Sequence, residues 1–126
     1  MGWKVDPLDA EGFLYVSADG AIGTDDVRGQ VDQGITFILE HRLPGAMVDY
    51  SKVVLEMPIV DIYQLPDWFE ARSLPRETRI AVVLPADPAN MHKYTFFDDV
   101  ANNRGYQVRL FWEVTRARDW LHGGGV

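Results

Sequence analysis

Arg79-Ile80-Ala81-Val82-Val83-Leu84 is the stretch that decides the fold. Its apolar run is nearly continuous, so both faces of the extended chain need cover. That marks an interior strand in a sheet with helices on each side. Downstream, Asp87-Pro88 joins an N-cap acid to a proline at the first helical position. Met91, Tyr94, Phe97, Val100 and Ala101 recur at helical spacing, which predicts a helix toward Asn103 with Gly105 placed to cap it. Gln107 to Phe111 reads as a last strand, and Thr115 to Leu121 as a short last helix with Ala117, Trp120 and Leu121 inward.

Upstream, Ala46-Met47-Val48-Asp49-Tyr50 reads as a short buried strand, while Ser51 to Glu56 is open between extension and loop. Ile59 to Tyr63 and Asp67 to Ala71 form one helix or two, with Pro66 starting the second or kinking the pair. Before them, Thr24 offers an N-cap hydroxyl, and Asp25 and Asp26 put negative charge in a first helical turn, where the dipole favours it. Val27, Val31, Ile35, Ile38 and Leu39 give this helix one buried face. Gly29 and Gly34 each lower its intrinsic propensity by up to about 1 kcal/mol, so packing must hold it. His41 and Arg42 suit its C-terminal end, and Leu43-Pro44-Gly45 stops it.

At the start, Trp3-Lys4-Val5-Asp6 and Phe13-Leu14-Tyr15-Val16-Ser17-Ala18 flank a turn containing Pro7, Asp9 and Gly12, which predicts a hairpin closed by Asp19-Gly20. Strand and helix alternate from there to the end. The fold class is therefore α/β: one domain over residues 1–126, with a mostly parallel sheet of about five strands, an antiparallel N-terminal edge hairpin and helices packed on the sheet. Residues 122–126, His122-Gly123-Gly124-Gly125-Val126, are expected to be a flexible tail.

Composition sets limits on function. The chain has 126 residues, no cysteine and a net charge of −7, so disulfides, thiolate metal sites and a cysteine nucleophile are excluded. The acidic balance argues against nucleic acid, which asks for a basic surface. No apolar run is long enough for a membrane span, and no secretory signal is read at the N-terminus, so the expected address is cytoplasmic. Residues 1–70 hold four Lys/Arg against thirteen Asp/Glu, and residues 71–126 hold eight against six. Either the solvated faces merely differ, or the basic part, with Arg72, Arg76, Arg79, Arg104, Arg109, Arg116 and Arg118, faces an acidic partner or a second subunit.

Few residues propose chemistry. Gly20-Ala21-Ile22-Gly23-Thr24 matches no phosphate-binding loop, and Asp25 and Asp26 would repel a phosphate there. The HGGG of the tail lacks the nucleophile elbow it would need. His41, His92 and His122 share no ligand spacing, so no metal and no cofactor are expected. Asp49, followed by Tyr50, Ser51 and Lys52, sits near a strand end, where acid–base work is conceivable; Asp49 and Ser51 are better read as satisfying local backbone. The aromatic residues Trp68, Phe69, Tyr94, Phe96, Phe97, Phe111 and Trp112 exceed what one small core can face, and leftover apolar surface marks an interface or an apolar pocket.

The order Asp19-Gly20, Thr24 opening a helix, Val48-Asp49 ending a strand, Arg79-Ile80-Ala81-Val82-Val83, Val108-Arg109-Leu110-Phe111 and Ala117-Arg118-Asp119-Trp120-Leu121 resembles the SpoIIAA-like family, relatives of the STAS domains of anti-sigma-factor antagonists. The resemblance covers nearly the whole chain and rests on order and spacing. It implies helices on an α/β sheet, no intrinsic enzymatic chemistry, and action by binding a partner protein or a small ligand. Some STAS domains are switched by phosphorylation within an Asp-Ser-Ser-Gly pattern, which aligns here with Asp61-Ile62-Tyr63-Gln64; Asp61 is kept, and both serines and the glycine are absent. SpoIIAA-like proteins are also likened in fold to CRAL-TRIO lipid carriers, and that likeness implies an apolar cavity lined by Trp68, Phe69, Tyr94 and Phe97. The leading expectation is a non-enzymatic homodimer that meets a protein partner through the helices of Ile59 to Ala71 and Met91 to Asn103, with Phe96 and Trp68 at the surface. A carrier of a small apolar, lipid-like ligand is the alternative. A hydrolase or isomerase using Asp49, Tyr50 and Lys52 ranks last, and Asp49, Ser51 and Asp61 are the residues of a possible polar site.

Overall fold

The computed structural model describes residues 2–6, 12–86 and 88–123. Five strands form one sheet in chain order: β1 (Gly2–Asp6), β2 (Leu14–Ile22), β3 (Gly45–Leu55), β4 (Arg79–Val83) and β5 (Gln107–Phe111). The β1–β2 pair is antiparallel and every later pair is parallel. Helices α1 (Thr24–His41), α2 (Ile59–Tyr63), α3 (Leu65–Ala71), α4 (Met91–Asn103) and α5 (Val114–Leu121) fill the crossovers and the C-terminal end.

The apolar run that opened the sequence argument divides as a doubly covered strand must. Ile80 and Val82 join the large core with residues of α1 to α4, whereas Ala81 and Val83 join a smaller core with Phe13, Met47, Ala117 and Leu121 of the α5 side. Four helices thus cover one face of the sheet and α5 the other.

β3 is longer than the sequence reading allowed, and the open segment Ser51 to Leu55 is strand. Asp49 pairs with Ser17 but Lys52 with Asp19, so β3 carries an extra residue at this point. The bulge resets the alternation, which returns Val53 and Leu55 to the large core after Tyr50. β2 likewise runs on to Ile22, past the Asp19-Gly20 boundary expected from sequence.

α1 departs from expectation at both ends. Its N-cap is Gly23, not Thr24, and the Asp26 carboxylate accepts the Gly23 N–H at 3.0 Å. Thr24 is freed to reach across to α2. Arg42 takes the left-handed conformation (φ 53°), and the Leu43 N–H returns to the Ile38 carbonyl at 3.0 Å, which stops the helix. Leu39, placed on the buried face by spacing, is 44% exposed. Gly29 has a packing reason: a Cβ there would lie 2.8 Å from the Trp3 indole, so the missing side chain lets α1 close on β1. Gly105 caps α4 at φ 89°, with the Tyr106 N–H bonded to the Ala101 carbonyl at 3.1 Å. The Asp87 N-cap, the Pro7 and Asp9 turn and the end of the tail lie outside the described residues. His122 and Gly123 continue the last turn of α5, their N–H groups bonded to the Arg118 and Trp120 carbonyls.

Candidate functional site

Between the sheet and the layer of α1 to α4 the packing leaves a cavity of about 130 Å³. Interiors ordinarily hold few voids larger than one water molecule. Its walls are aliphatic and aromatic, with Ile62 of α2, Phe69 of α3 and Phe97 of α4 facing the sheet residues Val16, Val48 and Val82. Gln30, Tyr50, Lys93 and Tyr94 also contribute to the walls, but they present almost no polar surface to the cavity. The Tyr50 hydroxyl donates to Oε1 of Gln30, which leaves the Nε2 of the same amide buried without a partner. The Tyr94 hydroxyl is also buried and unpartnered. Burial pushes the Tyr94 phenol up to about 12, and burial beside Tyr94 raises that of Tyr50 further. Both phenols therefore keep their protons at neutral pH. Lys93 donates its Nζ to the Leu55 carbonyl at 3.2 Å.

The outer side of the same helices is apolar as well. In α2 only Ile62 is buried, while Ile59, Val60 and Tyr63 are 37%, 63% and 61% exposed. Tyr63 stacks on Phe96 of α4 with ring centroids 6.3 Å apart, so the patch runs from one helix to the next. Around it, Arg104 bridges Asp67 (2.8 Å) and Glu70 (3.3 Å), and Arg76 meets Glu70 at 3.1 Å.

The aromatic candidates thus separate. Tyr94, Phe97 and Phe69 line the cavity, Phe69 also meeting Phe97 and Tyr106 edge-on. Phe96 belongs to the outer patch. Trp68 belongs to neither: the Arg28 guanidinium lies 3.8 Å from its ring. Sequence reasoning did not single out Gln30 or Val60. The available signals were a polar residue at helical spacing inside the apolar stripe of α1, and apolar residues at four of the five positions of a one-turn helix.

The polar candidates are not brought together. Asp49 points to the α5 side, accepting from the Tyr15 hydroxyl (3.0 Å) and from the Ser51 N–H (3.1 Å) and hydroxyl (2.7 Å). Tyr50 points into the opposite core, and Lys52 is exposed. Asp61 sits in the first turn of α2 and accepts the Thr24 hydroxyl at 2.6 Å, tying α2 to the start of α1. The Asp49, Tyr50 and Lys52 run therefore presents no common reaction centre. Among the described residues no group of three or more His, Asp or Glu converges as a metal site, and no helix is long and apolar enough to cross a membrane. His41 ends α1 beside Phe37, His92 lies on the surface of α4, and His122 rests edge-on against Phe13.

A five-stranded sheet in sequential order with its first pair antiparallel, four helices on one face and one on the other, is the SpoIIAA-like fold. The anti-sigma factor antagonist SpoIIAA in its unphosphorylated form superposes with a TM-score of 0.66 at 9% identity, over 99% of this chain and 100% of that one. An uncharacterized protein of the DUF3478 family with a SpoIIAA-like fold, from Shewanella loihica, superposes with a TM-score of 0.58 at 15% identity, over 95% of this chain and 92% of that one. No family model matches the sequence, and no curated protein matches it significantly.

Proposed function

We propose that this chain is a non-enzymatic binding protein of the cytoplasm that works by protein–protein contact through the outer face of α2 and α4. In the purified protein, with no other partner present, a second copy covers that face. The observation that carries the reading is the exposure of Ile59, Val60 and Tyr63 on one five-residue helix, continued by the half-buried ring of Phe96 on α4. A one-turn helix with a single buried residue gains little from folding inward. Its apolar surface is stabilised when a partner removes it from water. The likeness in fold to an anti-sigma factor antagonist supports a binding role. So does the divergence of Asp49, Tyr50 and Lys52, which leaves acid–base chemistry unassembled.

Sedimentation velocity tests this with three proteins. The wild type is expected to dimerise reversibly, and Val60→Asp combined with Tyr63→Asp to remain monomeric at the same concentration. Trp68→Ala, which removes a ring outside the patch, is expected to associate as the wild type does. A double variant that associates like the wild type would remove this face from the account. The second reading, a site for a small apolar ligand, is favoured by a different observation, the cavity beneath the same helices.

A further inference from the structure

We infer that the cavity under α1 to α4 takes the hydrocarbon body of a small amphipathic monoanion, a carboxylate whose head lies at the ammonium of Lys93. This rests on the second reading above, a site for a small apolar ligand, and adds the charge of that ligand and the residue that selects it. A cavity of about 130 Å³ exceeds by several-fold the roughly 30 Å³ share of a water molecule, and approaches the ~150 Å³ of engineered apolar cavities that take up benzene. Its walls present almost no polar surface, so a polar atom placed inside would lose its hydration and gain no partner. The enclosed part of the ligand is therefore hydrocarbon, of about five or six carbon atoms on the benzene comparison.

Lys93 is the one charged side chain among the described residues that line this space. Since the walls are almost wholly apolar, it is the four-carbon stem that faces inward and the ammonium that lies at the edge. There Nζ donates to the Leu55 carbonyl, on the last residue of β3, at 3.2 Å. An ammonium has three N–H donors, so two are left over. The residue is half-buried, not enclosed. The chain carries 19 Asp and Glu, yet among the described residues none pairs with Lys93.

A cation held at the edge of an apolar cavity, with donors to spare and no carboxylate of its own, selects for an anionic head on an apolar body. The bond from Nζ to a carboxylate oxygen is charge-assisted, which a neutral head cannot match, and a cationic head would be repelled. One uncompensated positive charge balances one negative charge. A carboxylate supplies that, whereas a phosphate monoester carries nearly two at neutral pH, in a chain whose own net charge is −7. Because the head stays at the edge, the ion is not carried into the hydrocarbon interior, where its desolvation would be costly.

Hexanoate, 1-hexanol and hexylammonium share a six-carbon chain and differ in the charge of the head. Each is titrated into the full-length protein while the methyl groups of Val48, Ile62 and Val82 are followed by NMR. Hexanoate is expected to give a saturable shift, at a Kd at least threefold below that of hexanol and at least tenfold below that of hexylammonium. Lys93→Met keeps an unbranched stem and removes the charge, so it is expected to bind hexanol as the wild type does and to lose the preference for hexanoate. Lys93→Arg keeps the charge and is expected to keep the preference. Hexanol binding as tightly as hexanoate, or a preference that survives in Lys93→Met or is lost equally in Lys93→Arg, would overturn the role of Lys93 and leave the apolar-ligand reading standing. No saturable shift with any of the three would overturn both. None of these outcomes bears on the outer face, whose test is oligomeric state.

Discussion

The two cavity tyrosines differ by a single hydrogen bond, and that difference predicts opposite responses to the same substitution. Tyr50→Phe strands Oε1 of Gln30 in the core, and is expected to cost about 1–3 kcal/mol in urea unfolding. Tyr94→Phe deletes a hydroxyl that has no partner, and the unfolding free energy is expected to stay level or rise slightly. The pH dependence follows from the same burial. Both phenols hold their protons more tightly folded than unfolded, so above pH 10, the ordinary tyrosine value, the unfolded chain releases protons that the native state keeps. Stability contributed by the buried neutral phenols is thus present at neutral pH and lost as pH rises through 10 toward 12, by up to about 1.4 kcal/mol per pH unit for each group. Alkaline urea titrations should show a shallower decline for Tyr94→Phe than for the wild type; identical slopes would contradict this. The pairing of Tyr50 with Gln30 was not legible in the sequence, because it joins residues 20 positions apart across a helix and a strand.

At the scale of elements, glycines carry predictions of opposite sign. A Cβ on Gly45 would lie 2.6 Å from the Arg79 carbonyl oxygen and 2.9 Å from Leu121, between β3, β4 and α5. Backbone cannot yield as a side chain can, so Gly45→Ala is expected to cost about 1–3 kcal/mol. Gly23 has extended backbone and open space around it, yet offers α1 no side-chain cap. Gly23→Ser is expected to add about 0.5–1 kcal/mol, through a cap and a less flexible unfolded chain. Thermal unfolding of the two variants checks both signs. Elements with strong periodicity were legible from sequence: α1, α4 and β4 fall within a few residues of their expected spans, and the antiparallel hairpin and parallel remainder follow from strand–helix alternation. β3 was legible only in its first half. Beyond Tyr50 its alternation is reset by a bulge, and a local pattern cannot show the partner strand that makes Ser51 to Leu55 extended. The start of α1 was misplaced by one residue because Thr24 looks like a cap, while tertiary structure spends its hydroxyl on Asp61.

At the scale of the molecule, the charge asymmetry resolves into local pairs more than into one basic face. Arg72 meets Asp32 at 2.7 Å, and Arg76 and Arg104 meet Glu70 and Asp67, so three of the seven arginines are spent across the boundary between acidic and basic halves. These pairs are exposed, and removing any one by Arg→Gln is expected to change stability by less than about 1 kcal/mol. The site was legible as a class and not as a map. Surplus aromatics implied a pocket or an interface, and the fold supplies candidates for both, one on each side of α2. Which aromatic goes where depends on helix rotation, and that rotation put Phe96 outward, Phe97 inward and Trp68 beneath Arg28. The central claim is that the outer α2–α4 face is the contact surface, and amide hydrogen exchange across a dilution series tests it most directly. The account predicts that the amides of Ile59 to Tyr63 and the neighbouring turns of α4 gain protection as concentration rises, while the open edge of β1 does not. Concentration-dependent protection confined to β1, or none at α2, would contradict it.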